Sequence, residues 1–211
     1  MIIFVRHGET VYQAFQKAAI MTANNVKTRY NPQSGLSETG IQQALEAGDC
    51  LRHYNPKHLY SSDLPRCVQT AEKINEQLNQ KLEIIQSVKL RERMLWEERE
   101  RYRTLELDIT DKDLEPFADV FKSAQEVISE LENTEFKGNV VVCTHGQFME
   151  VLKYAALETD TDFFKFNTLY KQHKSKGNRP DGSRFCKMFA IDLSLPRTKR
   201  KVLFPYEVKN V

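Results

Sequence analysis

Two His-Gly pairs, His7-Gly8 and His145-Gly146, each stand at the abrupt end of a short apolar run. Arg6 precedes the first and Thr144 the second. An Arg beside a His at such a place puts polar chemistry where a buried strand meets solvent. A third segment, Ser61-Ser62-Asp63-Leu64-Pro65-Arg66, has the form of a strand end running into a helix start, with Arg66 in the first helical turn. A helix N-terminus favours anions through its unpaired N–H groups and its dipole. An Arg placed there adds a bidentate fork that suits a phosphate.

The elements that must position these residues follow from the apolar pattern. Met1 to Val5 and Val140 to Thr144 read as strands buried on both faces, as in parallel sheets. Lys57 to Ser61 and Leu82 to Gln86 are shorter strand candidates, Arg184 to Leu193 alternates, and Val202 to Tyr206 reads as a strand or a C-terminal arm. Ser37 is placed to cap a helix using Ile41, Ala44, Leu45, Gly48 and Leu51. Asp63 is placed to cap another, with Pro65 in its first turn. Phe117 to Leu131 is the clearest amphipathic stretch, and a further helix starts at Gly146. Strands alternating with helices predict a three-layer α/β/α sandwich with a mostly parallel central sheet. Ligands in such folds lie at the carboxyl ends of strands. Both His-Gly pairs belong there, although 138 positions separate them.

Composition sets the outer bounds. The 211 residues are 40 % hydrophobic and 28 % charged, which excludes a disordered chain. Single-domain size is expected for residues 1–211, with a polar, basic loop near 171–187. No apolar run reaches the roughly 18 residues of a membrane span, and no secretory leader is read at the start. A net charge of +2 argues against a dedicated nucleic-acid binder. Cys50, Cys67, Cys143 and Cys186 show no CxxC pairing, so neither a zinc site nor a disulfide framework is expected. Reduced thiols and a cytoplasmic location are the expectation. Oligomeric state is not readable.

The motifs, taken in order, carry a resemblance. Arg6-His7-Gly8-Glu9-Thr10, Leu36-Ser37-Glu38-Thr39-Gly40 with Gln43-Ala44, Ser61 to Arg66 with Thr70-Ala71, Leu90-Arg91-Glu92, and Thr144-His145-Gly146 together resemble the histidine phosphatase superfamily. The similarity is to its mutase-like branch, the phosphoglycerate mutase-like family. That branch includes cofactor-dependent phosphoglycerate mutases, fructose-2,6-bisphosphatases and broad small-molecule phosphatases.

The resemblance implies a covalent mechanism in which His7 attacks phosphorus to form a phosphohistidine. It implies that Arg6, Arg66 and His145 ring the phosphoryl oxygens, with Thr10, Gln13 and Gly146 as further substrate contacts. Phosphoryl transfer needs positioning and positive charge more than metal chemistry, so neither a metal nor a cofactor is expected. A backbone acceptor, with Gly8 the candidate, would fix the His7 tautomer.

Glu92 matches the acid that protonates the leaving group. Two departures from the family pattern stand out. Arg93 to Arg99 keeps Trp96-Glu97 but lacks the glycines around it, which leaves Glu97 as an alternative acid. Gln13 stands where relatives often carry Asn.

The function expected is a phosphomonoester hydrolase acting on a small phosphorylated metabolite or a phosphoprotein. A phosphoglycerate mutase and a non-catalytic phospho-ligand binding module are the alternatives. Specificity is expected from the loop near Gln13 to Gln33, from residues 93–110 and from the basic stretch 171–187.

Overall fold

A computed structural model of the chain describes residues 1–21, 33–92, 117–157 and 185–203. Five strands form one sheet: β1 (Ile2–Arg6), β2 (Pro56–Ser62), β3 (Ile84–Ser87), β4 (Asn139–Thr144) and β5 (Met188–Ile191). Their order is β3-β2-β4-β1-β5. The pairs β3/β2, β2/β4 and β4/β1 are parallel, and β5 joins β1 antiparallel at one edge. The predicted mostly parallel sheet is present, closed by one reversed edge strand.

Because strand side chains alternate between faces, β1 feeds two cores. Ile2 and Phe4 face α4 (Phe117–Asn133) and α5 (Gly146–Leu157), together with Val140 and Val142 of β4. Ile3 and Val5 face α2 (Glu38–Leu51) and α3 (Pro65–Gln77), together with Val141 and Cys143. This double burial is why β1 and β4 read as uninterrupted apolar runs. Helices on both faces give the α/β/α layering. Ser37 caps α2 as expected, its hydroxyl accepting from the Gly40 N–H.

Four local expectations change. Residues after Thr10 form a helix, α1 (Val11–Met21), where a loop was expected. Its start is a reciprocal cap. The Thr10 hydroxyl accepts from the Gln13 N–H at 3.2 Å, and the Gln13 side-chain oxygen accepts the Thr10 N–H at 3.0 Å. Asp63 does not cap α3. Leu64 holds that position without a side-chain bond, and Asp63 grips Arg91 instead. The Arg184 to Leu193 alternation shrinks to Met188–Ile191, because Phe185 and Cys186 form a turn with Cys186 at φ 51°. The C-terminal candidate reduces, within the described residues, to one bridge between Leu203 and Ala190.

Candidate active site

The carboxyl ends of β1 and β4 lie side by side, with Arg6 in register with Thr144. The next residue on each chain is a histidine, and both histidines are buried. Their ring centroids are 5.3 Å apart. The His7 N–H donates to the Thr144 carbonyl at 2.9 Å, which extends the strand pairing one step beyond β1.

The turn after His7 is unusually tight. A Cβ on Gly8 would lie 2.5 Å from the Gly40 carbonyl oxygen, and one on Gly40 would lie 2.0 Å from the Glu9 carbonyl oxygen. Two bare backbones therefore have to meet between the β1 end and the first turn of α2. Ser37 fastens the same contact, donating from its backbone N–H to the Glu9 carbonyl at 2.9 Å.

His7 Nδ1 lies 2.8 Å from the Gly8 carbonyl. A carbonyl only accepts, so Nδ1 carries the proton and Nε2 keeps its lone pair. Burial lowers the His7 pKa well below its usual value, and the positive charges of Arg66 and Arg6 lower it further. His145 is likewise held neutral, first by burial and then by Arg66, His7 and Arg6. Its Nε2 is 3.0 Å from the Ser62 hydroxyl and 3.4 Å from the Cys67 sulfur.

Arg66 is buried in the first turn of α3, as its place behind Pro65 predicts. One hydroxyl connects it to the His7 turn. Thr70 accepts the Gly8 N–H at 3.0 Å and donates to the Arg66 carbonyl at 2.6 Å. Arg6 lies with its guanidinium carbon 4.4 Å from the centroid of the Phe185 ring.

Glu92 reaches the same place from a third direction. Its carboxylate accepts the Phe148 N–H at 3.1 Å and is also hydrogen-bonded by the Gln147 backbone. The first amides of α5 thus hold a side chain. Burial raises the Glu92 pKa, against the lowering pull of Arg66, Arg6 and these amides. Its chain segment is pinned twice more. Arg91 forms a two-pronged pair with Asp63, and the Thr144 hydroxyl donates to the Leu90 carbonyl at 2.7 Å.

Arg6, His7, Arg66, Glu92 and His145 therefore come together, each within the electrostatic reach of others in the set. Gly146 opens α5 beside them. Thr10 and Gln13 are adjacent but bonded to one another through the helix cap, with the Thr10 hydroxyl also 2.9 Å from the Gln13 oxygen. Glu97, the 93–110 segment, His173 and most of the 171–187 stretch lie outside the described residues. His53 is exposed, and His58 packs on Phe136.

Four supporting residues were not singled out from sequence as site residues: Ser62, Cys67, Thr70 and Phe185. Ser62 and Thr70 lie inside the quoted motif and Cys67 between its two parts, so their position was visible but their partners were not. Phe185 had no local signal.

This arrangement concentrates positive charge around a neutral imidazole, with a protonatable carboxyl beside it. Residues 2–175 match the model of the histidine phosphatase superfamily, branch 1. The chain is 37 % identical over 94 residues to fructose-2,6-bisphosphatase TIGAR of Xenopus laevis, a match covering 44 % of this chain and 31 % of that protein.

Among solved structures, mycobacterial glucosyl-3-phosphoglycerate phosphatase superposes with a TM-score of 0.62 at 22 % identity, over 90 % of this chain and 92 % of the other. Phosphoserine phosphatase of Entamoeba histolytica gives 0.59 at 20 % identity, over 90 % and 89 %. An Escherichia coli protein described as a putative alpha-ribazole-5'-P phosphatase gives 0.64 at 16 % identity, over 96 % and 94 %. At these identities the structural likeness establishes the fold, and the family match establishes the kinship. The chain belongs to branch 1 of the histidine phosphatase superfamily.

Proposed function

We propose that the protein hydrolyses phosphate monoesters through a phosphohistidine on His7. The observation that carries this reading is the His7 ring itself. It is neutral, it is held in one tautomer by the Gly8 carbonyl, and it is buried within reach of the charges of Arg66 and Arg6. Its Nε2 attacks phosphorus and the bond to the leaving oxygen breaks. Arg6 and Arg66 balance charge on the phosphoryl oxygens, and His145 adds a neutral imidazole beside them.

Glu92, whose pKa burial raises, gives its proton to the departing alkoxide. The same carboxylate then takes a proton from water as water attacks the phosphohistidine. Phosphate leaves and His7 is restored. Gly146 borders the phosphoryl site. Gln13 contributes through its amide nitrogen, since its oxygen is engaged by Thr10.

The substrate class is a small phosphorylated metabolite or a phosphoprotein. The relatives described above are named as phosphatases, which favours hydrolysis over transfer between two positions of one substrate. The deciding experiment follows an aryl phosphate and looks for an acid-labile phosphoenzyme. Wild type turns over and labels, and His7→Ala does neither. Labelling that survives in His7→Ala would end the assignment. Exchange of phosphate between positions of a phosphoglycerate, without release, would identify a mutase instead.

A further inference from the structure

The turn that introduces β5 carries a side chain that the motifs do not account for. Phe185 lies over Arg6, its ring centroid 4.4 Å from the guanidinium carbon and 6.2 Å from the centroid of the His7 ring. The backbone there is bent in an unusual way. Cys186 adopts φ 51°, a left-handed conformation that a residue with a Cβ rarely takes. Such strain persists only where surrounding contacts hold it in place. Two main-chain bonds do so: Cys186 N–H to the His7 carbonyl at 3.4 Å, and Arg6 N–H to the Lys187 carbonyl at 3.0 Å. The bend therefore places the Phe185 ring against the end of β1.

Among the described residues, the buried Nε of Arg6 has no hydrogen-bond partner. A buried N–H left unpaired is costly. A group held in that state beside His7 has the geometry of a donor kept for a ligand. A ring packed on the guanidinium face blocks rotation of the plane and directs the donors along its edge.

We infer that Phe185 is a positioning residue: its ring fixes the plane of Arg6 so that the Nε–H faces a phosphoryl oxygen bound at His7. This rests on the hydrolase reading for the identity of the ligand and deepens it by naming what orients the anion-binding arginine.

The test measures direct binding of inorganic phosphate by calorimetry, which needs no turnover. Phe185→Leu is expected to weaken phosphate roughly tenfold, the scale of a partly desolvated cation–π contact. Phe185→Tyr, which keeps the ring, restores affinity to within about twofold. Pentafluorophenylalanine at this position preserves shape and packing but reverses the ring quadrupole, so it answers the question even if Phe185→Leu folds poorly. It is expected to weaken phosphate as Phe185→Leu does.

In an Arg6→Ala background the Phe185→Leu penalty should vanish, because the ring acts through the guanidinium. An equal penalty with and without Arg6, or wild-type affinity in the fluorinated protein, would overturn the inference. Wild-type protein that binds phosphate but cleaves no ester would end the hydrolase reading while leaving the Phe185 comparison decisive.

Discussion

At the scale of single residues, the site is organised by burial acting on opposite kinds of acid. The same desolvation lowers the pKa of His7 and raises that of Glu92. The neutral nucleophile therefore persists below its ordinary 6.5, and the protonated acid persists above its ordinary 4.5. The kcat/KM profile for an alkyl phosphate should accordingly rise on an acid limb displaced below 6.5 and fall on a basic limb as Glu92 loses its proton.

Glu92→Gln should remove that basic limb. It should also slow alkyl esters by about 10²-fold or more while aryl phosphates lose far less, because an aryl leaving group needs little protonation. Equal losses on both ester types would point to another acid. Stability carries a related signature. His7 and His145 are neutral in the fold, so the unfolded chain binds more protons once pH falls below 6.5, and their contribution to stability drops there. Glu92 works in the opposite sense, favouring the fold below 4.5 and losing that contribution as pH rises through its raised pKa. Urea midpoints measured from neutral to mildly acid pH should fall in wild type and fall less in His145→Asn.

At the scale of elements, three strand-to-helix or strand-to-turn junctions meet, and polar cross-links hold them in register. Thr70 bridges the His7 turn to the head of α3 through one hydroxyl. Thr70→Val would leave the buried Gly8 N–H without its acceptor, a cost of about 1–3 kcal/mol. The same change should lower kcat/KM for an aryl phosphate, and Thr70→Ser should recover both properties. A Thr70→Val protein with normal stability and rate would show that the bridge is dispensable.

The elements also explain which sequence expectations failed. Asp63 has the residue type of a helix cap, but Arg91 offers it a two-pronged ionic partner that no local pattern reveals. The helix after Thr10 was missed because its start signal is Thr10 followed three residues later by Gln13. That pair caps the helix through the Gln13 oxygen and leaves the Gln13 amide nitrogen for the substrate contact that the family pattern implies.

At the scale of the molecule, the site lies at one end of the sheet, and a separate set of contacts holds the opposite end of α5. Arg200 donates to the carbonyls of Ala156, Leu193 and Leu195 and pairs with Glu132 on α4 at 2.6 Å. Arg197 does similar work at Ala155 and Glu132. These bonds close the C-terminal end of α5, about 12 Å along the helix from the amides that hold Glu92. Arg200→Ala should therefore cost roughly 1–3 kcal/mol in a denaturation experiment while leaving kcat/KM within about twofold. A large loss of rate at unchanged stability would mean that the two ends of α5 are coupled.

Sequence alone determined the layered fold, because strands buried on both faces, such as β1 and β4, show in the chain as short, nearly continuous apolar runs. It also determined His7, Arg66 and His145 as candidates, because strand ends and helix starts are local signals and the ordered motifs matched a family. The tertiary structure decided the rest. The His7 tautomer, the shifts at His7 and Glu92, the Thr70 bridge and the Phe185 ring over Arg6 all depend on partners far apart in the chain. A residue type announces which bonds it could make; only the packed neighbourhood selects the partner and removes the water that would otherwise compete for it.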